Sequence, residues 1–180
     1  MKQMTTTKKL VGVAVFSALA FVISYLEFPI FPSAGFLKLD FSAVFIILAG
    51  FIYGPLYGVG ACVVKEVLCF LLKSSTGGVG EIANTIVTVG FILLPTIVYT
   101  FKKGLPTVIL TMAIGCVIQT GLALLCNRFI MFPLYMGEGA SAVFASLWHF
   151  VALFNLIKSV SISILTILLY KRIYWIIKKI

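Results

Sequence analysis

Seven polar side chains stand inside or beside long apolar runs: Lys38, Asp40, Glu81, Asn84, Asn127, Asn155 and Lys158. They are mainly hydrogen-bond donors and acceptors set among many Phe, Leu and Tyr. Apolar walls with a few orienting polar groups suit a flat, partly apolar ligand bearing hydroxyls or imides. In "NLIK", Asn155 and Lys158 lie three residues apart, which puts an amide and an ammonium on one helix face. A lysine at the centre of a membrane helix costs roughly 2.5 to 3.5 kcal/mol, so it pairs, snorkels or lines a polar cavity. Two readings of Lys158 therefore stand, a ligand-cavity role and a structural interhelical hydrogen bond. Lys65 adjoins Glu66 in another apolar run. Neighbours in a helix point to different faces, so this pair need not bridge itself, and pairing with other helices is as good an account as function.

"STGGVGEIAN" has the glycines of a phosphate loop but lacks the G-K-[ST] ending that would supply a lysine and a magnesium-binding hydroxyl, which argues against nucleotide hydrolysis. Glu81 falls near the start of the helix that follows, where the helix dipole favours a carboxylate. For Glu81 and Asn84 two readings remain open, approach to a ligand and capping of that helix. His149 is the single histidine and sits beside Trp148 at a helix start, the place of an interfacial residue. No H-E-x-x-H, G-x-S-x-G or aspartate-rich signature is present, and the chain reads as a binder, not an enzyme. Cys62, Cys69, Cys116 and Cys126 show neither CxxC spacing nor histidine pairing and read as small buried apolar residues.

The elements that must position these groups follow from composition. The chain of 180 residues is 62% hydrophobic and 11% charged with a mean hydropathy of +1.18, against roughly 45–50% apolar and about 25% charged in soluble domains. The reading is an all-α integral membrane protein forming a single domain over residues 1–180. Apolar runs and their breakers predict six transmembrane helices: Leu10 to Phe28, Phe41 to Tyr53, Leu56 to Leu72, Glu81 to Phe101, Pro106 to Phe129 and Trp148 to Tyr170. The second is short for a span. The basic N-terminus, Met1 to Lys9, precedes a retained first helix and not a cleaved signal peptide. Lys2, Lys8, Lys9, Lys102, Lys103, Lys171, Arg172, Lys178 and Lys179 gather on one side of such a six-span arrangement, leaving Lys38, Lys73 and Arg128 on the other. By the positive-inside rule both termini are then cytoplasmic. The net charge of +9 thus belongs to topology, and no basic cluster with stacking aromatics points to nucleic acid. Ala14 and Ala18 form a small-xxx-small pair that permits close helix approach, to a partner or within the bundle. For Gly50, Gly54 and Gly58, at the same spacing, internal packing is the expectation.

Five stretches in order carry a family resemblance: "FLKLDFS", "GFIYGPLYGV", "STGGVGEIAN", "CNRFIMFPLY" and "FNLIKS". In sequence and spacing the chain resembles the riboflavin-specific substrate-binding (S) components of energy-coupling factor transporters, from the first helix through the sixth. The resemblance implies capture of riboflavin from outside the cell, in a prokaryotic plasma membrane, as substrate with no cofactor. It also implies association with a transmembrane coupling protein and two ATPase subunits, docked through Ala14 and Ala18. It assigns Asn127, Asn155 and Lys158 to the ligand, with Asn84 and the segment from Lys38 to Asp40 beside them. "FSAVFIIL" departs from the family's aspartate and proline after the serine, and Arg128 brings a charge where an aromatic usually stands. FMN, pantothenate and folate are the alternative substrates. Lys38 and Asp40, on the same side of an extended segment, are expected to pair with each other and help close the pocket.

Overall fold

The computed structural model describes residues 5–179, with side chains through residue 170 and that of Arg172. Lys2 and the side chains of Lys171, Lys178 and Lys179 lie outside it. Helix α1 spans Thr6–Ile23, α2 Ser42–Tyr53, α3 Pro55–Leu72, α4 Val79–Phe101 and α5 Leu105–Cys126. A π-helical turn at Asn127–Met131, a short α6 at Phe132–Met136 and a 3-10 turn at Gly137–Gly139 lead into α7, Ala140–Lys179. Between α1 and α2 a two-residue hairpin pairs β1, Phe28–Pro29, with β2, Lys38–Leu39, Phe28 opposite Leu39.

The expectation of six transmembrane helices is corrected. Among the described residues, four helical stretches are long and apolar enough to cross a membrane: Thr6–Ile23, Pro55–Leu72, Val79–Phe101 and the run Leu105–Tyr170. Two physical reasons account for the difference. Helix α2 has only 12 residues, about 18 Å at 1.5 Å per residue, against the roughly 30 Å of a hydrocarbon core. The break expected between the fifth and sixth segments carries helical turns of its own, so α5 to α7 read as one stretch of 66 residues, broken in conformation at Gly137, φ +54°, and its long limbs α5 and α7 pack side by side. The placement of both termini in the cytoplasm was counted over six crossings and is withdrawn with them.

Helix α2 is apolar on every side because it is surrounded. It packs on α1, α3, α4 and α7, and Ile46, Ile47, Leu48 and Ala49 are wholly enclosed; a helix hydrophobic all round is a core helix. Gly54, at φ +109°, makes the sharp turn that lets α3 begin at Pro55 and run back along α2. There Gly58 comes so near that a Cβ on it would lie 2.9 Å from the Gly50 Cα. Gly50 and Gly58 thus pack internally as expected, whereas Gly54 has open space around it and serves the turn.

Pro95 lies buried inside α4. A proline in a helix frees the carbonyl four residues earlier, here that of Phe91. Gly115 of α5 comes close to that carbonyl: a Cβ on it would lie 2.9 Å from the Phe91 oxygen. At one end of the core, Phe51, Tyr99 and Tyr170 form an aromatic cluster, with the two tyrosine hydroxyls 2.8 Å apart. The polar groups gather at the other end.

Candidate functional site

The C-terminal ends of α1 and α3 meet the N-terminal ends of α2 and α4 on one side of the bundle. A cavity of about 500 Å³ opens there, and Lys38, Asp40, Glu81, Asn84 and Lys158 all line it. Beside it lies a second, apolar cavity of about 270 Å³, walled by Phe132, Tyr135 and Met136 and including Asn127. Phe36, Thr76 and Met131 line both, so the two adjoin.

Asp40 precedes α2 and accepts a hydrogen bond from the Ser42 backbone N–H at 2.9 Å and another from the Ser42 hydroxyl. A carboxylate at a helix N-terminus satisfies free N–H groups and meets the positive end of the helix dipole. Its other oxygen accepts from Lys158 Nζ at 2.8 Å, with both side chains buried. Burial alone pushes the Asp40 carboxyl up, but the Lys158 and Lys65 charges outweigh it and hold it below the usual carboxylate range.

The expected pairing of Lys38 with Asp40 is corrected. Both reach the cavity, yet Lys38 bonds Glu27 at 2.9 Å and Asp40 bonds Lys158. The reason is depth: Lys38 sits on the exposed edge of the hairpin while Asp40 is sunk at the head of α2. Glu27 also takes Lys73 at 2.7 Å through its second oxygen, and Lys73 donates as well to the Ser24 carbonyl. Burial raises the Glu27 carboxyl and the two lysines lower it, leaving it below its ordinary value.

Lys65 and Glu66, whose side chains need not have met, do bridge each other at 2.8 Å while buried. Asn84 donates to the same Glu66 oxygen, a cross-helix bond from α4 to α3 and not a cap on its own helix. Glu81 accepts from the Thr76 hydroxyl at 2.8 Å, and that oxygen in turn accepts from the Gly80 N–H. The Tyr135 hydroxyl donates to the Thr76 carbonyl at 2.8 Å, tying the turn after α5 to the loop before α4.

Asn127 opens the π turn and donates to the Ala123 carbonyl at 2.8 Å. Asn155 likewise donates to the Val151 carbonyl within its own helix, is 6% exposed, and lines neither cavity. Ala14 and Ala18 lie exposed on α1, away from the cavity. Arg128 stacks over Phe144 at 5.5 Å, and the exposed His149 lies 4.4 Å from the Phe150 ring. Sequence reading passed over Glu27, Lys73, Lys65, Glu66 and Tyr135 as site residues. Charges inside or at the ends of apolar runs were the signal for the first four; nothing in the sequence distinguishes Tyr135 from other interfacial tyrosines.

An all-helical bundle with several membrane-crossing stretches, ending in a polar cavity that adjoins an aromatic one, defines a multi-pass membrane protein built to hold a small molecule. No group of three or more His, Cys, Asp or Glu able to hold a metal occurs among the described residues. The chain belongs to the family of ECF transporter substrate-specific components, which it matches over residues 8–170. It is 32% identical over 182 residues to the riboflavin transporter RibU of Staphylococcus aureus, covering 98% of this chain and 96% of that protein. It is 34% identical over 173 residues to the riboflavin transporter FmnP of Bacillus subtilis, covering 91% and 90%. A solved structure of the S component of a bacterial ECF transporter superposes with a TM-score of 0.85 at 32% identity, covering 97% of this chain and 99% of that one. Membership makes this chain a transporter component, working with the transporter's other subunits.

Proposed function

We propose that this chain captures riboflavin from outside the cell as the substrate-binding subunit of an ATP-driven ECF transporter, all 180 residues acting as one membrane domain. The carrying observation is the pair of adjoining cavities, one apolar and aromatic, one polar. Riboflavin has the same two halves, a flat ring system and a hydroxylated chain. The ring lies against Phe36, Phe132 and Tyr135, with Asn127 to meet its polar edge. The ribityl hydroxyls turn toward Asp40, Lys158, Asn84, Lys38 and Glu81, which offer both donors and acceptors. Asn155, one turn before Lys158 on the same face of α7, is the remaining member of the proposed set. Riboflavin transporters among the relatives support the same substrate.

Release inward requires a transmembrane coupling protein and two ATPase subunits, and the exposed Ala14 and Ala18 provide the close-approach surface on α1 for the coupling protein. The test is a titration of detergent-purified, flavin-stripped protein followed by quenching of riboflavin fluorescence, with pantothenate and folate as competitors. Saturable one-to-one quenching that these vitamins do not reverse is the expected result. Folded protein that leaves riboflavin fluorescence unchanged would refute the assignment.

A further inference from the structure

The riboflavin reading above is the basis of a second step. We propose that Glu27 is the specificity residue that turns phosphorylated flavins away: by occupying Lys38 and Lys73 together, it denies a flavin phosphate its cations.

The chain as a whole carries a net charge of +9, yet its polar cavity is lined by four lysines and four carboxylates, a formal sum of zero. Every one of those lysines is engaged. Lys158 is held by Asp40 and Lys65 by Glu66, both in buried pairs. Lys38 and Lys73 share Glu27, one on each carboxylate oxygen, at 2.9 and 2.7 Å. Lys73 is further fixed by the Ser24 carbonyl and lies 5.3 Å over the Tyr25 ring. The remaining carboxylate, Glu81, takes a hydroxyl and, among the described residues, no lysine, so its negative charge offsets the one positive charge left where Glu27 meets two lysines.

A neutral ribityl chain can exchange hydrogen bonds with these groups without separating any ion pair. A phosphate monoester carries about −1.5 to −2 charges at neutral pH and needs charge-assisted donors. The less buried of the lysines are Lys38 and Lys73, with side chains 48% and 20% exposed, and a phosphate reaches them only by displacing Glu27 or by sharing them with its negative charge. Glu27 thereby sets the preference between two ligands with the same ring.

The test compares riboflavin and FMN affinities, by fluorescence quenching of the full chain, for the native protein, Glu27→Gln, and Glu27→Gln combined with Lys38→Gln and Lys73→Gln. The native protein is expected to prefer riboflavin. Glu27→Gln should shift the ratio toward FMN by about tenfold, the scale of one charge-assisted hydrogen bond gained. That shift should shrink as salt is raised and vanish in the triple variant. Native protein that binds FMN as tightly as riboflavin overturns the proposal without requiring any variant to fold. An unchanged ratio in Glu27→Gln overturns it as well, while leaving riboflavin capture intact. Native protein that binds neither flavin removes the riboflavin reading itself.

Discussion

Lys158 of α7 and Asp40 at the head of α2 are separated by 118 positions in sequence and by 2.8 Å in the fold. The pair joins the last long helix to the core helix and lies in the cavity wall. It is one of two buried charge pairs among the described residues at this end of the bundle, the other being Lys65 with Glu66. Removing Asp40 leaves Lys158 buried without its carboxylate, and removing Lys158 leaves Asp40 with only Ser42 and the Lys65 charge to offset its burial.

Asp40→Asn and Lys158→Met are therefore each expected to destabilise the protein by about 3–5 kcal/mol, whereas the double variant should cost less than the sum. Thermal unfolding in detergent, carried through the double-mutant cycle, measures the difference. Additive losses would show that the pair contributes nothing as a pair.

Tyr135→Phe removes the hydroxyl that ties the turn after α5 to the Thr76 carbonyl at the junction of the two cavities. A net loss of about 0.5–1.5 kcal/mol, up to roughly tenfold in riboflavin affinity, is expected from one neutral hydrogen bond. Faster dissociation at an unchanged association rate is the stopped-flow result that fits a clasp over the ligand.

The Glu27 rim carries a pH dependence whose sign follows from its lowered pKa. A carboxylate stabilised in the fold contributes fully above its unfolded-state value, and that contribution fades as pH falls through the lower folded-state value. The stability gap between native protein and Glu27→Gln should thus be complete at neutral pH and close only on acidification below the ordinary glutamate range. Melting curves of the two proteins across that range check it, and a gap that is constant throughout would contradict the ion-pair account.

Glycine substitutions separate close approach from open space. Gly58→Ala drives a methyl to 2.9 Å from the Gly50 Cα, where backbone and not a side-chain tip must yield, and should cost about 1–3 kcal/mol. Gly60→Ala, two positions on in α3 with nothing within 4 Å, should be neutral or stabilise by up to about 1 kcal/mol. Parallel melting experiments on the two variants read this contrast directly.

Ala14→Trp and Ala18→Trp place bulk on the exposed face of α1. If these alanines dock the transporter's other subunits as proposed, loss of co-purification with those subunits should far exceed any loss of riboflavin affinity in the isolated chain. Equal losses in both assays would point to damage within the bundle and remove the docking role.

What the sequence determined by itself was the material of the protein: a membrane helix bundle, read from apolar runs too long and too poor in charge for a soluble domain, and the residues out of place in it. Lys158 and Asn155 could be put on one face because helical periodicity is local. Asp40, Lys38, Asn84 and Glu81 could be singled out because charge and amide groups beside apolar runs are costly unless used. The family resemblance was also legible, since it rests on short stretches in order.

Partnership was not legible. Lys38 and Asp40, two residues apart, go to Glu27 and to Lys158, and Lys65 takes its own neighbour Glu66. Which carboxylate a lysine meets depends on how deep each is carried by its element, and depth is a property of packing between distant segments. The same holds for the count of membrane-crossing helices. Helix α2 looked like a short span and is a core helix ringed by four others, while the expected break after α5 is largely filled by a π turn, a short helix and a 3-10 turn. An apolar stretch reports that it avoids water. Only tertiary structure decides whether lipid or protein takes water's place.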